Sequence, residues 1–303
     1  MTFDEFAGFV LTQVGIEGEL PVRPDDRLIE DLGFDSLALL VFHAVLEELC
    51  GVPVEPELVE SSRTIGEAFG WYQTVCGRIG EGDAVCGRLD VLTAPPWIDT
   101  SDGSQPPPMS GRHCRIEPLD IDAYGWLSRL WHRGDVAWRW RDRGIFFRPE
   151  EWLERIWADV VLQFVVRPVR GHERIGLVTI YGHDPLARHA RVAALFDDTC
   201  SAAGTRLEGA VLALGYAFET LGLRKVYAEI PEFNLRHFRS GAGRWFRLEG
   251  SLLDYHWAAG RLWTMYVASI DRPRFSELWN LVLASRPGQS KEEYPADDAT
   301  TAL

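Results

Sequence analysis

In Asp31–Leu40, DLGFDSLALL, a serine stands between a carboxylate and a run of leucines. A serine that opens a helix keeps its hydroxyl exposed, and the N–H groups and dipole of the first turn stabilise a phosphate carried there. The same position suits a plain N-cap, for which Ser36 and Asp35 are both the right residue type. Ser36 is therefore either an attachment point for an anionic group or part of a cap. The five cysteines, Cys50, Cys76, Cys86, Cys114 and Cys200, are scattered, with no CxxC pair and no Cys/His spacing suited to a metal. They read as the reduced thiols of a cytoplasmic protein.

The elements around Ser36 carry most of the charge. Residues 1–78 hold fifteen Asp and Glu against four Arg, a net of −11, while the whole 303-residue chain stands at −14. An acidic module joined to a nearly neutral body argues against nucleic acid, which needs a basic footprint. It suits partners that present basic surfaces. No apolar run approaches the ~18–20 residues of a membrane span. The N-terminus, MTFDEFAGFVLTQV, lacks the basic opening of a signal peptide.

Periodicity predicts helices over residues 3–14, from Ser36 to about Leu49, and over 64–75, with a short turn near Pro56–Val59. Together they make a four-helix module over 1–78. Residues 79–111 read as a flexible linker rich in Pro, Ser, Gly and Asp. Such a linker averages about 30 Å end to end and reaches roughly 100 Å when extended. Residues 112–284 alternate strands and helices: RIEPLD, VLQFVVRPV, RIGLVTIYG, ARVAALFDD, RKVYAEI and RLWTMYVASI read as strands. Leu207, Val211, Leu214, Phe218 and Leu221 mark one face of a long helix, and Asn234–Ser240 reads as a short one. A mixed sheet with helices on its faces follows. Residues 285–303 read as a disordered tail.

Asp31, Gly33, Asp35, Ser36 and Leu37 resemble the D-x-G-x-D-S-L attachment motif of acyl and peptidyl carrier proteins, which are small acidic four-helix bundles. The resemblance implies that a phosphopantetheinyl transferase places 4'-phosphopantetheine on Ser36 and that the thiol of this arm carries an acyl group as a thioester.

The stretches LALGYAFETLGLRKVYAEIPEFN (Leu212–Asn234), WFRLEG (Trp245–Gly250) and HWAAGRLWTMYVASI (His256–Ile270) resemble the GNAT superfamily of N-acyltransferases. The resemblance implies that a pantetheine arm lies in a V-shaped gap between parallel strands near Val192–Phe196 and Val226–Ile230. It also implies that Asn234 contacts the arm or the reacting amide; a helix-cap role for Asn234 is equally open. Three positions depart from the family pattern. The diphosphate loop reads SAAGTR, where Gly204 survives but Ser201 and Arg206 replace the usual residues; Gly241 stands where a tyrosine acid is frequent; Arg191 replaces an acid. A loop altered for coenzyme A beside a built-in carrier implies that the donor is the acyl arm on Ser36. Arg188, Arg191 or Arg206 would then meet the acidic carrier helix. Acetyl-coenzyme A or another acyl-coenzyme A is the alternative direct donor.

An attacking amine must lose a proton, and a general base contributes roughly 10²–10⁴. Glu229, His237 and Asp197 are the catalytic candidates, with Asp198 and His256 behind them. His132, Asp135, Trp138 and Trp140 lie where the family binds acceptors, though aromatic core is the plainer reading of the tryptophans. The expected function is transfer of an acyl group from the Ser36 arm to a small-molecule amine, forming an amide in secondary metabolism after an adenylation enzyme has activated the acyl group. Three other readings stay open: coenzyme A-dependent acetylation of a carrier-held amine, loading of an acyl group onto the carrier thiol, and a non-catalytic docking module.

Overall fold

The computed structural model describes residues 1–16, 22–50, 54, 62–79, 109–197 and 203–283. Helix α1, Phe3–Val14, opens with a capping box: Thr2 Oγ1 accepts from the Glu5 N–H and the Glu5 carboxylate accepts from the Thr2 N–H. Gly15, with φ of 77°, closes it in the left-handed conformation that glycine adopts without strain. Helices α2, Ser36–Cys50, and α3, Ile65–Ile79, complete the described helices of the N-terminal module. Phe6 lies between Phe69 and Tyr72, with ring centroids 5.3 Å from each. The turn expected near Pro56–Val59, most of the linker and the tail fall outside the described residues.

The body runs β1 (Cys114–Pro118), α4 (Tyr124–Trp131), α5 (Gly134–Ala137), α6 (Pro149–Trp157), β2 (Val160–Pro168), β3 (Gly176–Asp184), β4 (His189–Phe196) and α7 (Ala203–Thr220). It continues with β5 (Lys225–Pro231), α8 (Glu232–Leu235), β6 (Arg247–Ala258), β7 (Arg261–Asp271) and α9 (Arg272–Leu283). The strands form one sheet in the order β1-β2-β3-β4-β5-β7-β6. Every neighbouring pair is antiparallel except β4 and β5, joined by the crossover helix α7. A helical region followed by a mixed sheet flanked by helices is the architecture expected from the sequence.

Alternation along the strands sorts side chains onto two faces. Phe164, Val166, Val178, Ile180, Ala190 and Val226 face one core with α7 and α9. Val165, Leu177 and Leu195 face the other, against Trp131, Trp140 and Trp152 of the α4–α6 region. Trp140 is thus a core residue.

Helix α2 reads SLALLVFHAVLEELC, apolar on every side, and a helix of that kind is buried on every side. It packs on α1 and α3 within its own module and on α7 and α9 of the body. Leu37, Leu40, Val211, Leu212 and Phe275 therefore share one continuous core.

Two parts of the pattern differ from the sequence reading. The short helix expected over Asn234–Ser240 is divided into α8 and a 3-10 turn, Arg239–Gly241. Strand β6 and helix α9 are additional. In β6 the in–out alternation is interrupted by register shifts at 248/250 and 252/256. In α9, Pro273 resembles a stop signal but occupies a first-turn position that tolerates proline.

Candidate active site at the junction of carrier and body

Strands β4 and β5 pair at only three positions, His189 with Lys225, Ala190 with Val226 and Arg191 with Tyr227. Beyond them β4 stays with β3 as far as Phe196, and β5 stays with β7 as far as Pro231. The sheet splits between Val192–Phe196 and Ala228–Pro231, and the facing backbone edges have no ladder between them. This is the gap expected from the sequence, and it opens at the carboxyl ends of two parallel strands, where α/β folds bind ligands.

Helix α2 is seated at that opening. Asp35, not Ser36, is its cap: Asp35 Oδ1 accepts from the N–H groups of Leu37, at 3.1 Å, and Ala38, at 2.8 Å. The same carboxylate holds the body. The Ser240 N–H donates to Oδ2 and the Ser240 hydroxyl to Oδ1, each at 2.6 Å. Leu37 packs on Gly241, where an added Cβ would collide with Leu37 Cδ2. Leu40 covers Gly204 in the first turn of α7, lying 3.9 Å from where a Cβ would stand. Ser36 lies between the two residues that grip 240–241, one helical turn before the residue that covers the start of α7. The Arg244 guanidinium donates to the carbonyls of Thr12 and Gln13, satisfying the end of α1.

The far end of α2 is fixed as well. Glu47 pairs with Arg112, and the rings of His43 and His113 stack with centroids 4.4 Å apart. Glu208 of α7 accepts from the backbone N–H groups of Arg112 and His113. Burial, then the charges of His43 and Arg112, push the His113 imidazole down to about 3, so this ring is neutral. Side-chain donor atoms of His43, Glu47 and His113 lie within 4.8 Å of one another. His43 Nε2 meets the Val54 carbonyl at 2.6 Å, however, and Glu47 holds a guanidinium where a cation would sit.

Residues 9–71 match the family model described as "Phosphopantetheine attachment site". The same region is 29% identical over 73 residues to the acyl carrier protein of Sulfurovum sp. (strain NBC37-1), covering 24% of this chain and 96% of that protein. It is also 29% identical over 72 residues to the acyl carrier protein of Wolinella succinogenes, covering 24% of this chain and 93% of that one. Residues 9–71 form a phosphopantetheine carrier domain. Among solved structures, the chain is similar to spermidine N-acetyltransferase from Vibrio cholerae in complex with CoA and spermine, at 19% identity and a TM-score of 0.48, covering 54% of this chain and 98% of that one. The spermidine/spermine N-acetyltransferase of the same organism in complex with manganese ions gives 20% identity and a TM-score of 0.45, covering 55% and 96%.

The carrier domain fits its arm. Gly33 of the motif takes φ of 72°, a turn that glycine enters freely, and Asp35 relieves Ser36 of capping. Ser36 is the residue that would hold the phosphopantetheine, and the gap between β4 and β5 has unladdered backbone on both walls.

The structure gives each catalytic candidate a different setting. Glu229 on β5 is 40% exposed and lies 3.6 Å from Arg191 on β4. Tyr181 shares that face, and burial followed by the Glu229 charge raises its phenol above the ordinary range. Asp197, at the end of β4, pairs with Arg133 at 2.8 Å, a bond that ties β4 to the start of α5. His237 sits in the turn after α8, where its N–H donates to the Asn234 carbonyl. Asn234 is inside α8, whose N-cap is Pro231, so the helix-cap role does not apply. Gly204 and Arg206 are in the first turn of α7 itself. Arg188 and Arg191 do not meet the carrier: Arg188 donates to the Gly222 carbonyl and Arg191 turns to Glu229, because both lie at the end of β4 away from α2. Ser240, Gly241 and Arg244 take that part. Their only sequence signal is the glycine in place of tyrosine at position 241.

Proposed function

We propose that this protein is an N-acyltransferase that moves an acyl group from the phosphopantetheine thioester on its own Ser36 to an amine. The observation that carries this reading is the seat of α2. It sets Leu37 on Gly241, in the turn that follows β5 and α8, and Leu40 on Gly204, at the first turn a coenzyme A diphosphate would need, so Ser36 stands between the segments that continue from β4 and β5. Gly241 is explained in the same way, since a tyrosine there would displace Leu37 and with it the carrier.

The arm supplies an acyl group activated as a thioester at the end of a reach set by Ser36. The chain's own groups do the rest. Unladdered N–H groups along β4 and β5 hold amides and stabilise negative charge developing on the carbonyl oxygen. Asn234, at the end of β5, borders the reacting centre. Glu229 would take the proton that the amine loses as the C–N bond forms and the C–S bond breaks, and would return it to the sulfur, which leaves as the thiol. Asp197 positions α5 through Arg133, and His237 braces the α8 turn. Arg206 contributes positive charge beside the phosphodiester. Tethering supplies the donor at millimolar-scale effective concentration, which offsets a reduced hold on a free cofactor.

In this reading the carrier spans 1–78, a linker 79–111, the transferase 112–284 and a tail 285–303. A phosphopantetheinyl transferase and an acyl-activating adenylation enzyme supply the loaded arm, in the cytoplasm and in the biosynthesis of a secondary metabolite. The test is intact-mass analysis of the acylated holo-protein mixed with amines. Loss of the acyl mass with amide appearing is expected, and Ser36→Ala should give no turnover. An arm that never discharges would leave the docking-module reading, and full activity of Ser36→Ala with free acyl-coenzyme A would overturn the proposal.

A further inference from the structure

On the sheet face opposite the carrier, four elements bring aromatic rings together at the end of β5. Phe233 of α8, next to Asn234, has its ring centroid 4.7 Å from Trp138, 5.2 Å from Trp263 of β7 and 5.4 Å from His256 of β6. His256 and Trp263 are cross-strand partners. Trp263 alternates with Met265 and Val267, the partners of Pro231 and Glu229, so the cluster shares its face with Glu229. His256 is buried, its Nε2 lies 3.4 Å from the Trp138 carbonyl, and its Nδ1 has no hydrogen-bond partner. Burial and the nearby Arg143 charge lower its pKa, which keeps it neutral.

The rim of this cluster is cationic. Arg261 lies over Trp263 at 3.4 Å, Arg143 over Tyr255 at 4.8 Å and Arg139 over Trp138 at 5.0 Å. Among the described residues, neither Arg143 nor Arg261 has a carboxylate partner. A guanidinium stacked flat on a ring is held in a fixed plane with its outer N–H fork free to take a carboxylate bidentately.

We infer that this cluster is the acceptor subsite and that it takes an amine bearing a carboxylate beside an apolar or aromatic side chain. The acceptor class is thus amino acids, not polycations, which the arginine rim repels. The inference rests on the acyl-transfer reading above. The carboxylate meets Arg261 and Arg143, the side chain meets Phe233 and Trp138, and the amine faces Glu229 at the gap.

The experiment offers the acylated holo-protein L-phenylalanine, phenethylamine and spermidine, and measures amide formation by mass spectrometry. Charge-assisted hydrogen bonds of the usual strength predict a preference of roughly 10- to 100-fold for phenylalanine over phenethylamine. The double variant Arg143→Ala/Arg261→Ala should bring that ratio to about 2 or less. Equal rates for the first two amines, preference for spermidine, or an unchanged ratio in the variant would each overturn the inference. Calorimetric titration of the unacylated holo-protein with the same three amines decides it apart from catalysis. Phenylalanine binding that the double variant loses supports the subsite even when no amide forms, an outcome that would sink the acyl-transfer reading alone. Binding that the variant keeps, or none at all, rejects the subsite.

Discussion

The carboxylate of Asp35 closes α2 and fastens it to Ser240, so the side chain beside the attachment serine governs both the local helix and the docking of the whole carrier. The motif around Ser36 was legible because its residue types have strict local work: a left-handed glycine, a capping acid, a buried leucine. The partner side was not, since nothing local marks Ser240 as a donor to a residue 205 positions away. Gly241→Ala should collide with Leu37 and weaken docking, and shortening the leucine in Leu37→Ala/Gly241→Ala should restore part of it; amide hydrogen exchange across α2 reads both. No rescue in the pair would show that Gly241 answers to Phe246 within the body instead. Glu229→Gln should lower kcat by roughly 10²- to 10⁴-fold with stability intact, as expected for a lost general base. Asp197→Asn should instead lower thermal stability, because it removes the charged bond that ties the end of β4 to Arg133. The reverse pattern would exchange their roles.

At the scale of elements, regular periodicity was legible: α1, α2 and the long helix α7 lie where the spacing predicts. Long-range packing decided the rest. The all-round apolarity of α2 records its second partner, the α7–α9 layer, and this signal is present in the sequence although its meaning emerges only with the body in place. Strand β6 is nearly all exposed and irregular in register, so it carries no in–out alternation to read.

The stacked His43–His113 pair at the end of α2 makes docking sensitive to acid. The His113 side chain falls from its ordinary 6.5 to about 3 in the folded state. Below pH 6.5 the unfolded chain takes up a proton that the folded chain refuses, so stability drops as pH falls through the window from 6.5 to 3. Between pH 6.5 and 5 this amounts to about 2 kcal/mol. Chemical denaturation should show that His113→Gln flattens this part of the profile relative to the parent. Parallel profiles would remove His113 as the cause.

Over the whole molecule, an acidic carrier and a mixed-sheet body share one core, with Ser36 on one side of a split sheet and the aromatic cluster on the other. The linear order of the two halves was readable. Their mutual seat was not, because docking is written in apolar surface and in single contacts, such as Arg244 on the end of α1, that resemble ordinary surface residues in isolation. The acidic composition of the carrier suggested a basic landing site, yet the landing is made by Ser240, Gly241, Gly204, the Arg112 guanidinium on Glu47 near the end of α2 and the Arg244 guanidinium on the end of α1.

The central claim is that the acyl group leaves from Ser36. The most direct measurement loads the holo-protein with an isotope-labelled acyl group on Ser36, adds the amine together with excess unlabelled acyl-coenzyme A, and determines the label in the first turnover of amide by mass spectrometry. The account predicts that the first amide is fully labelled and that the label disappears from Ser36 at the same rate. Unlabelled amide formed while the labelled arm persists on Ser36 would contradict it.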